Sequence, residues 1–132
     1  MAKIKPFRGI RYNLDRVKIG SVVVPPYDVI SDPKEYKDVY SFVNINLNVS
    51  HKKAAILLRK WIREGILKKD DDECIYIYNQ TFGSFSRTAF IALVELEELG
   101  KGILPHEKTL ARPLADRLEL MKFTKCQNGK IY

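Results

Sequence analysis

Between residues 50 and 64 the apolar positions recur every three or four residues. Ala54, Leu57, Leu58, Trp61 and Ile62 share one face, while Lys52, Lys53, Arg59, Lys60 and Arg63 cover the other. That spacing predicts an amphipathic helix. Ser50 suits its N-cap, Gly65 suits the residue just past its end, and Ile66 or Leu67 can fold back onto it. The basic face could bind an anion, but a solvated helix face is the favoured reading. A second helix is expected over 113–122. Pro113 suits its first position, and Leu114, Leu118 and Met121 form a stripe at i, i+4 and i+7. On that helix Asp116 points away from the stripe and Arg117 borders it.

Other segments carry strand patterns. Residues 74–82 and 87–96 are rich in β-formers, and Gly83-Ser84-Phe85-Ser86 joins them, so a β-hairpin is expected at about 74–96. Ile75 and Ile77 alternate with Tyr76 and Tyr78, so both faces are apolar and the strands are expected to be central and covered. Ser21-Val22-Val23-Val24 reads as a short strand ended by Pro25-Pro26, because proline cannot donate to a ladder. Ser31-Asp32-Pro33 reads as the start of a short helix. Asp70-Asp71-Asp72-Glu73 lacks the spacing of a calcium loop and reads as a solvated turn. Asn128-Gly129-Lys130-Ile131-Tyr132 looks like the beginning of a strand. The fold class expected is α+β: a mostly antiparallel sheet with packed helices at about 50–64 and 113–122. At 132 residues the chain is expected to be a single domain, 1–132.

Composition narrows the partners without selecting one. Lys and Arg number 23 against 16 Asp and Glu, a formal net charge of +7. Such an excess favours anionic partners: nucleotides, phosphorylated metabolites, nucleic acid or acidic lipid headgroups. The two cysteines, Cys74 and Cys126, form no CxxC unit, which favours a reducing compartment. Cys74, opening an apolar run, is expected to be buried. The N-terminus has no hydrophobic signal core, and no apolar stretch nears the ~20 residues that cross a bilayer. A cytoplasmic location without a membrane partner is therefore expected.

Familiar catalytic motifs are missing. His106-Glu107 is not HExxH, because position 110 is Leu, and His51 is distant in sequence at a helix start. There is no GxxxxGK[ST] loop, no GxSxG and no Cys–His signature. What remains is a polar set: His106, Glu107, Thr109, Arg112, Asp116 and Arg117. A carboxylate and an imidazole can move protons near neutral pH. Two arginines can grip phosphate or carboxylate. The same residues also fit loop and helix-cap positions joined by surface ion pairs. Pro25-Pro26-Tyr27-Asp28 is a second candidate, a rigid diproline presenting Tyr27 and Asp28. Arg8 and Arg87 are candidate phosphate ligands. No metal-ligand set is assigned.

Several of these segments resemble one family. Lys5-Pro6-Phe7-Arg8-Gly9-Ile10-Arg11-Tyr12-Asn13 resembles the opening of the bacterial and archaeal family known as domain of unknown function 1015. Pro25-Pro26-Tyr27-Asp28-Val29-Ile30 is similar to its most recognisable motif. Trp61-Ile62 with Glu64-Gly65, Tyr76-Ile77-Tyr78 with Gln80-Thr81-Phe82, Pro105-His106-Glu107 with Thr109, and Asp116-Arg117-Leu118 follow in the family's order. Val39-Tyr40-Ser41-Phe42 departs from the family's Asn-containing turn. Members typically run longer, so the resemblance implies the N-terminal part of a larger architecture.

The family in turn is similar to the ParB/sulfiredoxin-like group with its free-serine kinases. That analogy implies nucleotide-dependent phosphoryl transfer to a small hydroxylated metabolite such as free serine, with Mg2+ and ATP or ADP. It makes His106, Glu107 and Asp116 the catalytic candidates, and Tyr27, Asp28, Arg8, Arg87, Thr109 and Arg117 the candidates for substrate or phosphate binding. The other expectation is a basic nucleic-acid-binding or regulatory module without catalysis.

Overall fold

The computed structural model describes residues 2–105 and 110–129. In chain order its elements are β1 (Ile4–Lys5), β2 (Ile10–Tyr12), α1 (Ile19–Val22), α2 (Val43–Asn46), α3 (His51–Arg63), β3 (Leu67–Lys69), β4 (Tyr76–Phe82), β5 (Phe85–Ile91), β6 (Leu93–Val94) and α4 (Ala111–Thr124). Short 3-10 turns lie at Tyr27–Val29 and Pro33–Glu35. The fold is α+β, with helices and short antiparallel pairings. Among the described residues no helix is long and apolar enough to cross a membrane.

The chain divides into two compact units. One comprises Met1–Ile10 and Lys69–Lys108, the other Arg11–Lys68 and Thr109–Tyr132. β2 pairs with β3.

The helical unit holds the core. Val17, Val22, Ile45, Ala54, Leu58, Trp61, Ile66, Leu67 and Leu120 form one buried cluster. The face of α3 that periodicity selects is the buried one, and Trp61 meets the Tyr40 ring edge-on at 5.9 Å between centroids. The helix ends as its sequence requires. Gly65 has φ +72°, its N–H donates to Ile62 O, and the Ile66 N–H donates to Trp61 O. Those two bonds satisfy carbonyls the helix leaves open, and Ile66 is carried into the core. Ser50 occupies the N-cap position without a side-chain capping bond.

The ribbon unit is built differently. In β4–β5 the pairing runs in register from Tyr76↔Ile91 to Phe82↔Phe85, leaving Gly83 (φ +56°) and Ser84 as a two-residue turn. β1 pairs with β6. Gly9 sits against a ring: its N–H donates to the Tyr76 hydroxyl at 2.6 Å, while that hydroxyl bonds the Asp70 carboxylate. Arg8 Nε donates to Asp70 O at 2.7 Å, and the Phe7 and Tyr76 rings lie 5.0 Å apart. The Phe7-Arg8-Gly9 segment is thus locked to the 70–76 segment by side chains and backbone together.

Several expectations are corrected. The valine run 21–24 is not a strand: Ile19–Val22 makes a helical turn that buries Val22, and Val23 then extends toward the prolines. A run this short is decided by where one side chain can be buried, here Val22, rather than by β-propensity. The hairpin is not covered on both faces. Ile77, Phe82, Phe85 and Phe90 are exposed, because the sheet has only two strands and, among the described residues, no other element of its own unit packs on it. Cys74, expected buried, is exposed beside that ribbon. Helix α4 starts two residues early, so Pro113 occupies its third position, still within the first turn where no N–H is needed. Its Leu114, Leu118 and Met121 stripe is largely exposed, and the packed face is instead Leu120 and Thr124. Residues 130–132 of the suspected final strand lie outside the described residues.

Candidate functional site

The end of α3 that begins at His51 meets α4 at Asp116 and Arg117. His51 is the first residue of its helix, and Asp116 and Arg117 fall on the side of α4 that carries Leu120 one turn later. Packing Leu120 into the core therefore aims both polar residues at α3 and α2. His51 Nε2 lies 2.9 Å from Asp116 Oδ1. Arg117 bonds Asp116 Oδ2 through both Nε, at 2.9 Å, and Nη2. Arg117 Nη2 also donates to Asn46 O at 3.2 Å, meeting a carbonyl at the last residue of α2. The guanidinium carbon stands 4.5 Å from the centre of the Tyr27 ring.

The electrostatics follow from those bonds. The Arg117 hydrogen bond, more than any other influence, holds the Asp116 carboxyl below its usual range; partial desolvation opposes it, and His51 adds to the lowering. An ionised carboxylate only accepts, so the His51 nitrogen facing it donates. In the neutral form of the imidazole the other ring nitrogen, Nδ1, then carries the lone pair. The His51 ring also lies near Phe123, with centroids 6.4 Å apart. Asn46 Oδ1 is buried without a hydrogen-bond partner in the described structure.

The matching family is described as "Protein of unknown function (DUF1015)", and the match covers residues 4–132. The chain belongs to that family. No curated protein and no solved structure matches it.

The candidate residues are distributed unevenly in this DUF1015 member. Asp116, Arg117 and Tyr27 come together. Asp28 is exposed in the same 3-10 turn as Tyr27, and Arg112 is exposed on the first turn of α4. His106, Glu107 and Thr109 lie outside the described residues. Arg8 and Arg87 belong to the ribbon unit, where Arg8 is engaged with Asp70 and Arg87 is opposite Gln80 on β5. Sequence distance hides the partner of His51, which stands on another helix. The available signal is register: His51 stands three, four and seven residues before Ala54, Ala55 and Leu58, on the buried face of α3. Among the described residues no three His, Cys, Asp or Glu gather into a metal-binding group, and both Asp116 oxygens already take part in hydrogen bonds.

Proposed function

We propose that this DUF1015 chain contributes to nucleotide-dependent phosphoryl transfer onto a small hydroxylated metabolite such as free serine, with His51 rather than Asp116 as the proton acceptor. The observation carrying this reading is the 2.9 Å bond between His51 Nε2 and Asp116 Oδ1. An imidazole oriented by a carboxylate is a general base of the right strength for a hydroxyl near neutral pH. In the step envisaged, the metabolite's hydroxyl oxygen attacks the terminal phosphorus. Its proton passes to His51 Nδ1, and the bond from phosphorus to the nucleotide's bridging oxygen breaks, leaving the nucleotide one phosphate shorter: ADP from ATP, or AMP from ADP. Asp116 stabilises the imidazolium that results. Arg117 orients Asp116 and adds positive charge where the phosphoryl oxygens gather, the effect on which such transfers chiefly depend. No step is routed through magnesium. The kinship with ParB/sulfiredoxin-like free-serine kinases is part of this proposal and comes from the sequence resemblance alone.

The test is thermal denaturation with ATP or ADP, magnesium and serine, followed by an assay for phosphoserine, on wild type, His51→Ala and Asp116→Asn. The reading expects product from the wild type, a loss of about 10²-fold or more in His51→Ala, and nucleotide stabilisation in at least the wild type. No product from any nucleotide donor, or nucleotide stabilisation with turnover unchanged in both variants, overturns it.

A further inference from the structure

The solvent side of α3 has one sign of charge. Six residues of the helix are exposed: Lys52, Lys53, Ile56, Arg59, Lys60 and Arg63. At about 100° per residue they occupy one continuous arc of roughly 120°. Five of the six are cationic. The helix contains no Asp or Glu between His51 and Arg63. Lys60 reaches Glu64 at 3.9 Å, a pair at the far end of the arc. Arg59 donates to the Phe123 carbonyl at 3.5 Å, which neutralises no charge.

An ordinary solvated helix face mixes signs at i, i+3 and i, i+4, because like charges at those spacings destabilise it. Here Arg59 and Arg63 are four apart and Lys60 and Arg63 three apart. Lys52 and Lys53 stand at the helix N-terminus, where the backbone dipole is also positive. The fold thus holds together charges that repel one another. A rigid polyanion laid along the arc removes that repulsion.

We propose that the solvent arc of α3 docks the phosphate backbone of a nucleic-acid duplex. A nucleic acid fits better than an anionic membrane. A helix that lies in a bilayer surface buries an apolar face there. The apolar face of α3, with Ala54, Ala55, Leu58 and Trp61, is already buried in the protein, and Ile56 alone interrupts the cations on the exposed side. The contact is to phosphates only, so it carries no sequence preference. This surface is independent of the His51–Asp116 proposal.

The test measures binding of a mixed-sequence DNA duplex and an RNA duplex to the 132-residue chain by fluorescence anisotropy over a range of salt. Two triple variants are compared. Lys52→Ser/Arg59→Ser/Arg63→Ser removes three charges from the arc. Lys18→Ser/Lys34→Ser/Lys37→Ser removes three exposed charges elsewhere. The proposal expects log Kobs to fall against log salt with a slope of about −4, reduced by roughly 2 to 3 in the arc variant and little changed in the control. At low salt the arc variant binds at least tenfold more weakly, and its melting temperature no longer rises with duplex. Equal losses in both variants, no duplex binding at low salt, or equally strong binding to phosphatidylserine vesicles with the same arc dependence overturns the proposal.

Discussion

The guanidinium of Arg117 stacks over the ring of Tyr27, 4.5 Å from its centre, while its nitrogens bond Asp116 and the Asn46 carbonyl. One planar fork therefore joins the Tyr27 turn, α2 and α4. An ammonium cannot reproduce that geometry. Arg117→Lys is expected to lower stability by about 1–2 kcal/mol. In a double-mutant cycle with Tyr27→Leu, a coupling of about 0.5–1 kcal/mol should appear by chemical denaturation. A coupling of zero would show the stack to be idle.

Asp116 gives the protein a sensitivity to acid. Its carboxyl is held below the ordinary value, chiefly by Arg117. The native state thus takes up the proton less readily than the unfolded chain. The stabilisation is fully present above the unfolded carboxylate value near pH 4 and is lost as pH falls through the lowered one. The side chain is 45% exposed, so the effect is modest, at most about 1 kcal/mol. Melting temperatures from pH 7 to 3 should fall less steeply for Asp116→Asn than for wild type.

Tyr12 acts at the other extreme. Burial, with a smaller contribution from Asp38, pushes its hydroxyl up to about 12. The folded chain keeps this proton after the unfolded chain releases it near pH 10. Stability is therefore full below pH 10 and declines between pH 10 and about 12. Tyr12→Phe removes that share of the alkaline decline. It also deprives the Tyr40 carbonyl of a 2.6 Å bond, at a cost of about 1 kcal/mol at neutral pH. Denaturant melts at pH 7 and 11 separate the two effects.

Gly9 and Tyr76 form a local latch. A Cβ at position 9 would lie 2.6 Å from the Tyr76 hydroxyl. Gly9→Ala is expected to displace the ring and free the Asp70 carboxylate. Tyr76→Phe removes the acceptor of the Gly9 N–H and should speed hydrogen exchange at that amide by roughly tenfold or more. The melting temperature of the helical unit should change little, because none of these residues is in its core.

The legible parts of the fold were those in which a local signal and burial agree. Helix α3 was readable because its apolar period, Ser50 and Gly65 all point to the same boundaries. The short turn at Pro33 was readable because Asp32 caps it, accepting from the Lys34 N–H at 2.9 Å. The hairpin's existence was readable, but its exposure was not: alternating Ile and Tyr specify a strand without specifying what covers it. The α4 stripe misled for a related reason. Three apolar residues at helical spacing outnumber Leu120, yet Leu120 and Thr124 are the residues buried. At the site, Asp116, Arg117 and Tyr27 could be named from residue chemistry. His51 could not, because its partner is 65 positions away and only the packing of α3 on α4 brings them within reach.

Among the described residues, every buried apolar side chain belongs to the unit formed by Arg11–Lys68 and Thr109–Tyr132. The heat-capacity increment of melting, which arises from apolar surface newly wetted, is therefore a property of that unit. Calorimetry should register Trp61→Ala as a large loss of enthalpy and transition temperature. Trimming Phe82 and Phe85 to Ala should leave the increment nearly as it was, since those rings already meet water in the native state.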